Sequence, residues 1–219
     1  FLKSNYMGVS VLLETARKLK TGRFLQVSTD EVYGSIRKGV FTEDSPLAPG
    51  NPYSASKAAA DLLVLSYFKT FGLPAIITRS CNNFGPRQFP EKAIPVFILS
   101  ALAGKPLPVY AQGKNRRDWI YVEDNCDAVE LVLLKGKPGE AYNIPGVKEI
   151  ENLELAKTIL RLLCLPQNRW KSVSDRQGHD FRYKMSCDKI KRLKFLPGHS
   201  FESALKMTIE WYSENQNWW

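Results

Sequence analysis

Apolar side chains recur at helical spacing from Ser4 to Lys20, at Val9, Leu12, Leu13, Ala16 and Leu19. That period predicts an amphipathic helix, with Gly22 as its stop signal. Phe24-Leu25-Gln26-Val27-Ser28 then reads as a short buried strand, which runs into Thr29, Asp30 and Glu31 before Gly34 lets the chain turn. Pro46, Pro49, Gly50 and Pro52 mark a loop that delivers Tyr53 to the first turn of a long helix reaching about Phe71. Gly72-Leu73-Pro74 closes that helix, and Ala75-Ile76-Ile77-Thr78 is a second strand. Helix, strand, helix, strand is the order of a parallel sheet with covering helices.

Beyond residue 80 the apolar runs shorten. Asn82-Asn83-Phe84-Gly85-Pro86 reads as a polar turn, and Ile94 to Leu102 as a helix that tolerates Pro95 in its first turn. Leu107 to Tyr110 and Asp118 to Val122 read as extended, Val122 to Lys135 as a helix, and Ala141 to Ile144 as a strand. Helices are predicted over Asn152 to Leu163 and from Phe201 to about Glu214. The fold class expected is α/β: an incomplete Rossmann-like parallel sheet with helices, plus a smaller α/β substrate-binding domain.

Composition narrows the class. With 44% hydrophobic and 24% charged residues the chain is an ordinary globular one, and no apolar run approaches membrane-spanning length. Cys81, Cys126, Cys164 and Cys187 are widely spaced and match no metal-ligand pattern, so no metal is expected. Reduced thiols suit a cytoplasmic protein. The formal charge is +9, and Arg161 to Lys194 holds ten Lys or Arg against three Asp. Without a zinc-finger or RNP-type motif, the expectation is a solvated basic face with a few cations for a ligand's phosphates, and no nucleic-acid partner.

The candidate chemistry lies in two stretches. Tyr53 and Lys57 are four residues apart on one helix face. An ammonium beside a phenol favours the phenolate, which gives a base for a sugar or alcohol hydroxyl. Thr29, Asp30 and Glu31 place a hydroxyl and two carboxylates past the carboxyl end of a strand, the edge where open α/β sheets bind ligands. Adjacent carboxyls in different environments can serve as acid and base. Tyr33 reads as a packing residue.

V-S-T-D-E-V-Y-G (27–34), N-P-Y-S-A-S-K (51–57) and N-N-F-G-P-R-Q-F-P-E-K-A-I-P (82–95) occur in that order. In these motifs, and over essentially its whole length, the chain resembles the nucleoside-diphosphate-glucose 4,6-dehydratases of the extended short-chain dehydrogenase/reductase superfamily. The resemblance implies NAD as cofactor and dTDP-glucose, or a similar nucleotide sugar, as substrate, with a related nucleotide-sugar epimerase or decarboxylase, or an inactive fragment that only binds sugar nucleotide, as the alternatives. It implies that Tyr53, helped by Lys57, deprotonates the carbon-4 hydroxyl during oxidation. Glu31 would then take the carbon-5 proton, Asp30 would protonate the departing carbon-6 hydroxyl, and Thr29 would hydrogen-bond the carbon-4 oxygen. Ser28, Tyr53, Lys57 and Asn83 are implied at the cofactor. Thr29, Asn82, Lys92, Pro108, Tyr110, Arg117, Asn152, Arg176 and His179 are implied at the substrate. The helices over 4–20 and 52–71 are implied as a homodimer interface.

The G-x-G-x-x-G and G-x-x-G-x-x-G phosphate turns of such domains are missing from the sequence. At roughly 30 residues per βαβ unit, about three units are expected upstream, and the 219 residues alone are expected to be inactive. Residues 1–80 are thus expected to be the C-terminal part of the NAD-binding domain. Residues 81–219 are expected to bind mainly the sugar nucleotide, with about 120–145 returning to the first part. Two departures from the family pattern stand out: Gln177 where it has Pro, and Pro145 where it often has Gly. If that glycine needs a positive φ, the turn at Pro145 must differ.

Overall fold

The computed structural model describes residues 1–175 and 180–218. A π-helical stretch, Leu2–Met7, continues directly into α1, Gly8–Lys18. The first helix is therefore more widely wound at its start than the expected α-helix. Val9, Leu13 and Ala16 form its inward stripe, whereas Leu12 and Leu19 are exposed beside that stripe. The helix stops on Lys20, which takes a left-handed φ of 50°, and Gly22 is not used for the purpose.

The remaining elements follow in chain order. β1 (Phe24–Thr29) feeds a 3₁₀ turn, Asp30–Tyr33, and the loop after it leads to α2 (Pro52–Phe71). Next come β2 (Ala75–Ser80), β3 (Asn82–Phe84), α3 (Ala93–Leu102), β4 (Leu107–Tyr110) and β5 (Arg116–Tyr121). α4 (Val122–Lys135), β6 (Ala141–Ile144), β7 (Lys148–Glu151) and α5 (Asn152–Leu162) follow. The chain finishes with β8 (Trp170–Val173), α6 (Asp188–Arg192) and α7 (Phe201–Glu214).

Contacts divide the chain into two compact units. The first comprises Phe1–Cys81, Asn125–Pro145 and Tyr183–Leu196; the second comprises Asn82–Asp124, Gly146–Arg182 and Pro197–Trp219.

In the first unit β1, β2 and β6 form a parallel sheet in that order, with Phe24 opposite Ala75 and Ile77 opposite Ala141. This is the incomplete Rossmann-like sheet. β2 is central and buried along its whole length, as a parallel strand covered on both faces must be. α1 and α2 close one side with Val9, Leu13, Ala16, Ala60 and Val64 over Leu73, Ala75, Ile77 and Ala141. α2 is sharply delimited at both ends. The Asn51 side chain accepts from the Ser54 amide while the Ser54 hydroxyl faces the Asn51 amide, and Pro52 begins the helix. Gly72 ends it in the left-handed region, φ 69°.

In the second unit β3 pairs parallel to β5, and β7 pairs antiparallel to β5. β4 and β8 form a separate parallel pair. Asn82–Phe84, expected as a turn, is therefore a strand; its Asn side chains disguise a ladder that continues beside Trp119–Tyr121. The core joins Phe84, Ile94, Phe97, Ile98, Leu107, Trp119, Ile159, Leu160, Leu205, Ile209 and Tyr212. The turn at Pro145 is made without positive φ at either Pro145 or Gly146. Glycine is still required at 146, because a Cβ there would lie 2.4 Å from the Trp119 amide nitrogen.

Among the described residues no helix is long and apolar enough to cross a membrane. No group of three or more candidate metal ligands comes together there either.

Candidate active site

β1 ends on Thr29, whose extended backbone hands the chain to the 3₁₀ turn. The Thr29 hydroxyl accepts from the Glu31 amide (3.3 Å) and donates to the Asp30 carboxylate (3.2 Å). Serine and threonine favour such local bonds, which compete with continuing the strand. The two carboxyls consequently sit in different surroundings. Asp30 is buried at 3% exposure. Glu31 is half-buried and receives the Asn51 side-chain amide on Oε2 at 3.2 Å.

Gly34 ends the turn at φ 83°, and a Cβ there would lie 2.3 Å from the Ala48 carbonyl oxygen. The Ala48 amide in turn bonds the Val32 carbonyl at 3.0 Å, so the loop cannot simply back away. Replacing Gly34 by Ala combines positive-φ strain with a backbone clash. It is expected to destabilise the first unit by about 2 kcal/mol or more. Urea unfolding checks this, and a change within about 0.5 kcal/mol would show that the loop yields.

Tyr53 and Lys57 share one face of α2, as their spacing predicts. The Lys57 amine donates to the Val27 carbonyl on β1 at 2.6 Å. Burial lowers the lysine's pKa, and the Asp61 carboxylate opposes that change. The Tyr53 ring meets Phe1 edge-on. The structure corrects the expected tyrosine acidity. Burial pushes the Tyr53 phenol above the ordinary tyrosine value, and the Glu31 and Asp30 charges push it further. In the protein without cofactor, the tyrosinate absorbance lost in Tyr53→Phe is therefore expected to titrate above about 10. A midpoint below 10 would restore the activated phenol.

A buried polar network underlies both segments, and it involves residues that the sequence reading did not select. Arg79 on β2 donates to Asp61 of α2 at 2.9 Å and to the Tyr33 hydroxyl at 2.7 Å. Tyr33 donates onward to the Asn143 side-chain carbonyl at 2.8 Å, and the Asn143 amide donates to the Glu43 carboxylate at 2.9 Å. Tyr33 is thus a hydrogen-bonding residue as well as a packing one. Its ring lies under the Arg79 guanidinium and stacks on Phe41. Burial pushes the Asp61 carboxyl up, while the Arg79 charge and its hydrogen bond pull it down.

The other selected residues belong to the second unit. Lys92 is exposed, pairs with Glu91 at 3.0 Å and precedes α3. Pro108 and Tyr110 lie on β4, with Tyr110 exposed. Asn82 and Asn83 open β3. Arg117 is buried, and its guanidinium donates to the carbonyls of Arg116, Asp180 and Phe181. The Asn152 amide donates to the Asn115 carbonyl at the start of α5. Arg176 and His179 lie outside the described residues. Within the first unit, therefore, Ser28, Thr29, Asp30, Glu31, Tyr53 and Lys57 converge on the carboxyl end of β1 and the start of α2. The hydroxyls and amine of Ser28, Tyr53 and Lys57 are a donor set suited to a nicotinamide riboside. The pyrophosphate-binding glycine turn is not in the sequence.

A family model described as GDP-mannose 4,6 dehydratase matches residues 1–208. A dTDP-glucose 4,6-dehydratase of Streptomyces niveus is 49% identical over all of the chain and 66% of its own length. A low-salt glycan biosynthesis protein of Haloferax volcanii is 52% identical over 97% of the chain and 68% of its own length. The chain thus spans about two thirds of the curated relatives it matches. Among solved structures, the Streptomyces venezuelae dTDP-glucose 4,6-dehydratase with NAD and TYD bound superposes with a TM-score of 0.98 at 46% identity. That match covers the whole of this chain and 68% of the other. A Bacillus cereus UDP-glucuronic acid 4-epimerase in complex with UDP-glucuronic acid and NAD gives 0.93 at 26% identity, covering 98% and 68%.

Proposed function

Because the chain belongs to the GDP-mannose 4,6 dehydratase family, we propose that the complete protein converts dTDP-glucose, or a close relative, to its 4-keto-6-deoxy form. The observation that carries this reading is the pairing of two unlike carboxyls, Asp30 and Glu31, with Tyr53 in one electrostatic cluster. Epimerisation at carbon 4 needs a tyrosine and a cofactor. Elimination across carbons 5 and 6 also needs an acid and a base.

In this reading Tyr53 accepts the proton of the carbon-4 hydroxyl, and Thr29 holds that oxygen. NAD, when bound, would supply the hydride acceptor and donor for this internal redox reaction. Lys57, with Ser28 and Asn83, orients the nicotinamide riboside. The ketone acidifies carbon 5, Glu31 takes that proton, and Asp30, entering as the carboxylic acid, protonates the departing carbon-6 hydroxyl so that it leaves as water; once carbon 6 is reduced, Glu31 returns a proton, exchanged with solvent, to carbon 5. The different surroundings of Asp30 and Glu31 are what such a division of roles requires. Lys92, Arg117, Arg176, Pro108, Tyr110, Asn82, Asn152 and His179 are proposed for the sugar nucleotide. Reassigning Arg117 to a diphosphate would require it to release carbonyl partners.

The test is turnover of dTDP-glucose by the complete protein in deuterated water, read by proton NMR. A dehydratase yields a carbon-6 methyl group and solvent deuterium at carbon 5. An epimerase leaves the hydroxymethyl group intact, and that product would overturn the reading.

The complete protein is also proposed to be a cytoplasmic homodimer through the helices at 4–20 and 52–71. Val11, Leu12 and Leu62 are exposed on these helices and available for that contact. Leu12→Glu with Leu62→Glu is expected to convert a dimer to a monomer at micromolar concentration in sedimentation velocity.

A further inference from the structure

We propose that Asn51 is the positioning residue for the Glu31 base, and that its place as the cap of α2 is what fixes its orientation. The proposal rests on the dehydratase reading above, since Glu31 is the base only there.

The side-chain amide of Asn51 has two ends with different obligations. Its Oδ1 accepts from the Ser54 amide at 2.9 Å, which closes the first turn of α2. That leaves Nδ2 to donate, and it donates to Glu31 Oε2 at 3.2 Å. Reversing the amide would set its oxygen against the carboxylate and its NH₂ against a helix N–H, so two good bonds would become two repulsive contacts. The Asn51 backbone amide faces the Ser54 hydroxyl at 3.3 Å, and Pro52 fixes the next φ. The donor aimed at Glu31 is therefore rigid. The same cap delivers Tyr53, two residues on, so one residue sets the helix that carries the phenol and the aim of the carboxylate beside it. Oε1 carries no such constraint from Asn51 and is the oxygen free to take a proton.

Helix-capping chemistry alone does not require asparagine. Serine and aspartate cap as well as asparagine does. Only asparagine offers both an acceptor for the helix and a donor for Glu31. Serine keeps the acceptor but is too short to reach the carboxylate. Aspartate keeps the acceptor and sets a second carboxylate against the first.

The experiment compares wild type, Asn51→Ser and Asn51→Asp in the complete protein with NAD bound. It follows reduced-nicotinamide absorbance and product formation in single turnovers, with thermal unfolding alongside. Both variants keep the helix cap and are expected to melt within about 3 °C of wild type, the loss of one contact, and to oxidise carbon 4 at near the wild-type rate. Elimination should slow by about tenfold in Asn51→Ser and about a hundredfold in Asn51→Asp, so the reduced cofactor accumulates. Normal elimination in both variants overturns the proposal. So does a parallel loss of both steps with a lowered melting temperature, which would make Asn51 a cap alone.

A second arm needs no turnover. Asn51→Ser and Glu31→Ala, singly and together, are expected to shift Tm non-additively. Additive shifts overturn the contact itself. If the cycle shows the coupling but wild type forms no 4-keto-6-deoxy product, the dehydratase reading has failed and not the contact.

Discussion

Tyr53→Phe in the complete protein is expected to lower kcat for dehydration by about 10³-fold or more, with KM changed by less than about threefold. The substitution removes one oxygen from a half-buried ring and leaves α2, its cap and Lys57 in place. No other group selected here combines an ionisable hydroxyl with a place on the same helix face as Lys57. A lost general base is worth 10² to 10⁴ in rate, and in the proposed mechanism Tyr53 is the base of the first step. Reduced cofactor should not accumulate at all. Glu31→Gln provides the contrast, since it leaves the first step intact and blocks the second, so reduced cofactor should appear and persist. The two signatures separate the roles on one instrument. Accumulation in Tyr53→Phe, or its absence in Glu31→Gln, would reverse the assignment. The raised phenol of the uncomplexed protein sharpens the expectation. With burial and two carboxylates opposing ionisation, Tyr53 becomes a useful base only when bound groups change that balance.

Asp61→Ala is expected to be the most destabilising single change in the first unit, by about 3–5 kcal/mol. Asp61 is fully buried and Arg79 nearly so, and their ion pair spans 2.9 Å. Removing the carboxylate leaves a guanidinium in the core with the Tyr33 hydroxyl and the Glu43 carbonyl as its remaining partners. Burial alone disfavours that charge, and the Asp61 carboxylate is the largest influence holding the Arg79 pKa up. For a chain of this size the loss corresponds to about 10 °C or more in Tm. The double variant Asp61→Ala, Arg79→Met removes both charges and is expected to melt above Asp61→Ala alone. A single variant within about 1 kcal/mol of wild type, or a double variant that melts lower still, would show that water reaches the guanidinium.

The parts of the site that could be read from the sequence are those whose chemistry is local. Tyr53 and Lys57 need only a helix to share a face, and Thr29 to Glu31 need only to follow a strand. The capping pattern from Asn51 to Ser54 was also present in the letters, although its second role depends on a carboxylate twenty residues earlier. The polar network was not legible. Arg79 follows an apolar run that reads as a strand ending at Thr78, and an arginine there looks like the first solvated residue. In the structure β2 continues to Ser80, because Asp61 and Tyr33 meet the charge from two other elements. Lys148–Glu151 and Trp170–Val173 escaped for the opposite reason. Each has few inward residues, and each is a strand because of its neighbour, β5 or β4, more than its own pattern. The left-handed Lys20 shows the same limit at the scale of one residue: a glycine stood two positions away, and the chain turned earlier.

Among the described residues β1 has a sheet neighbour on one side only, β2. On this strand the Val27 carbonyl already accepts from the Lys57 amine and from the Gln26 side chain. A backbone acceptor met by side chains is not open to a pairing strand. The lysine that stands on the Tyr53 face of α2 therefore also ties that helix to the rim of the sheet, and a substitution of Lys57 would loosen a backbone join as well as remove a charge.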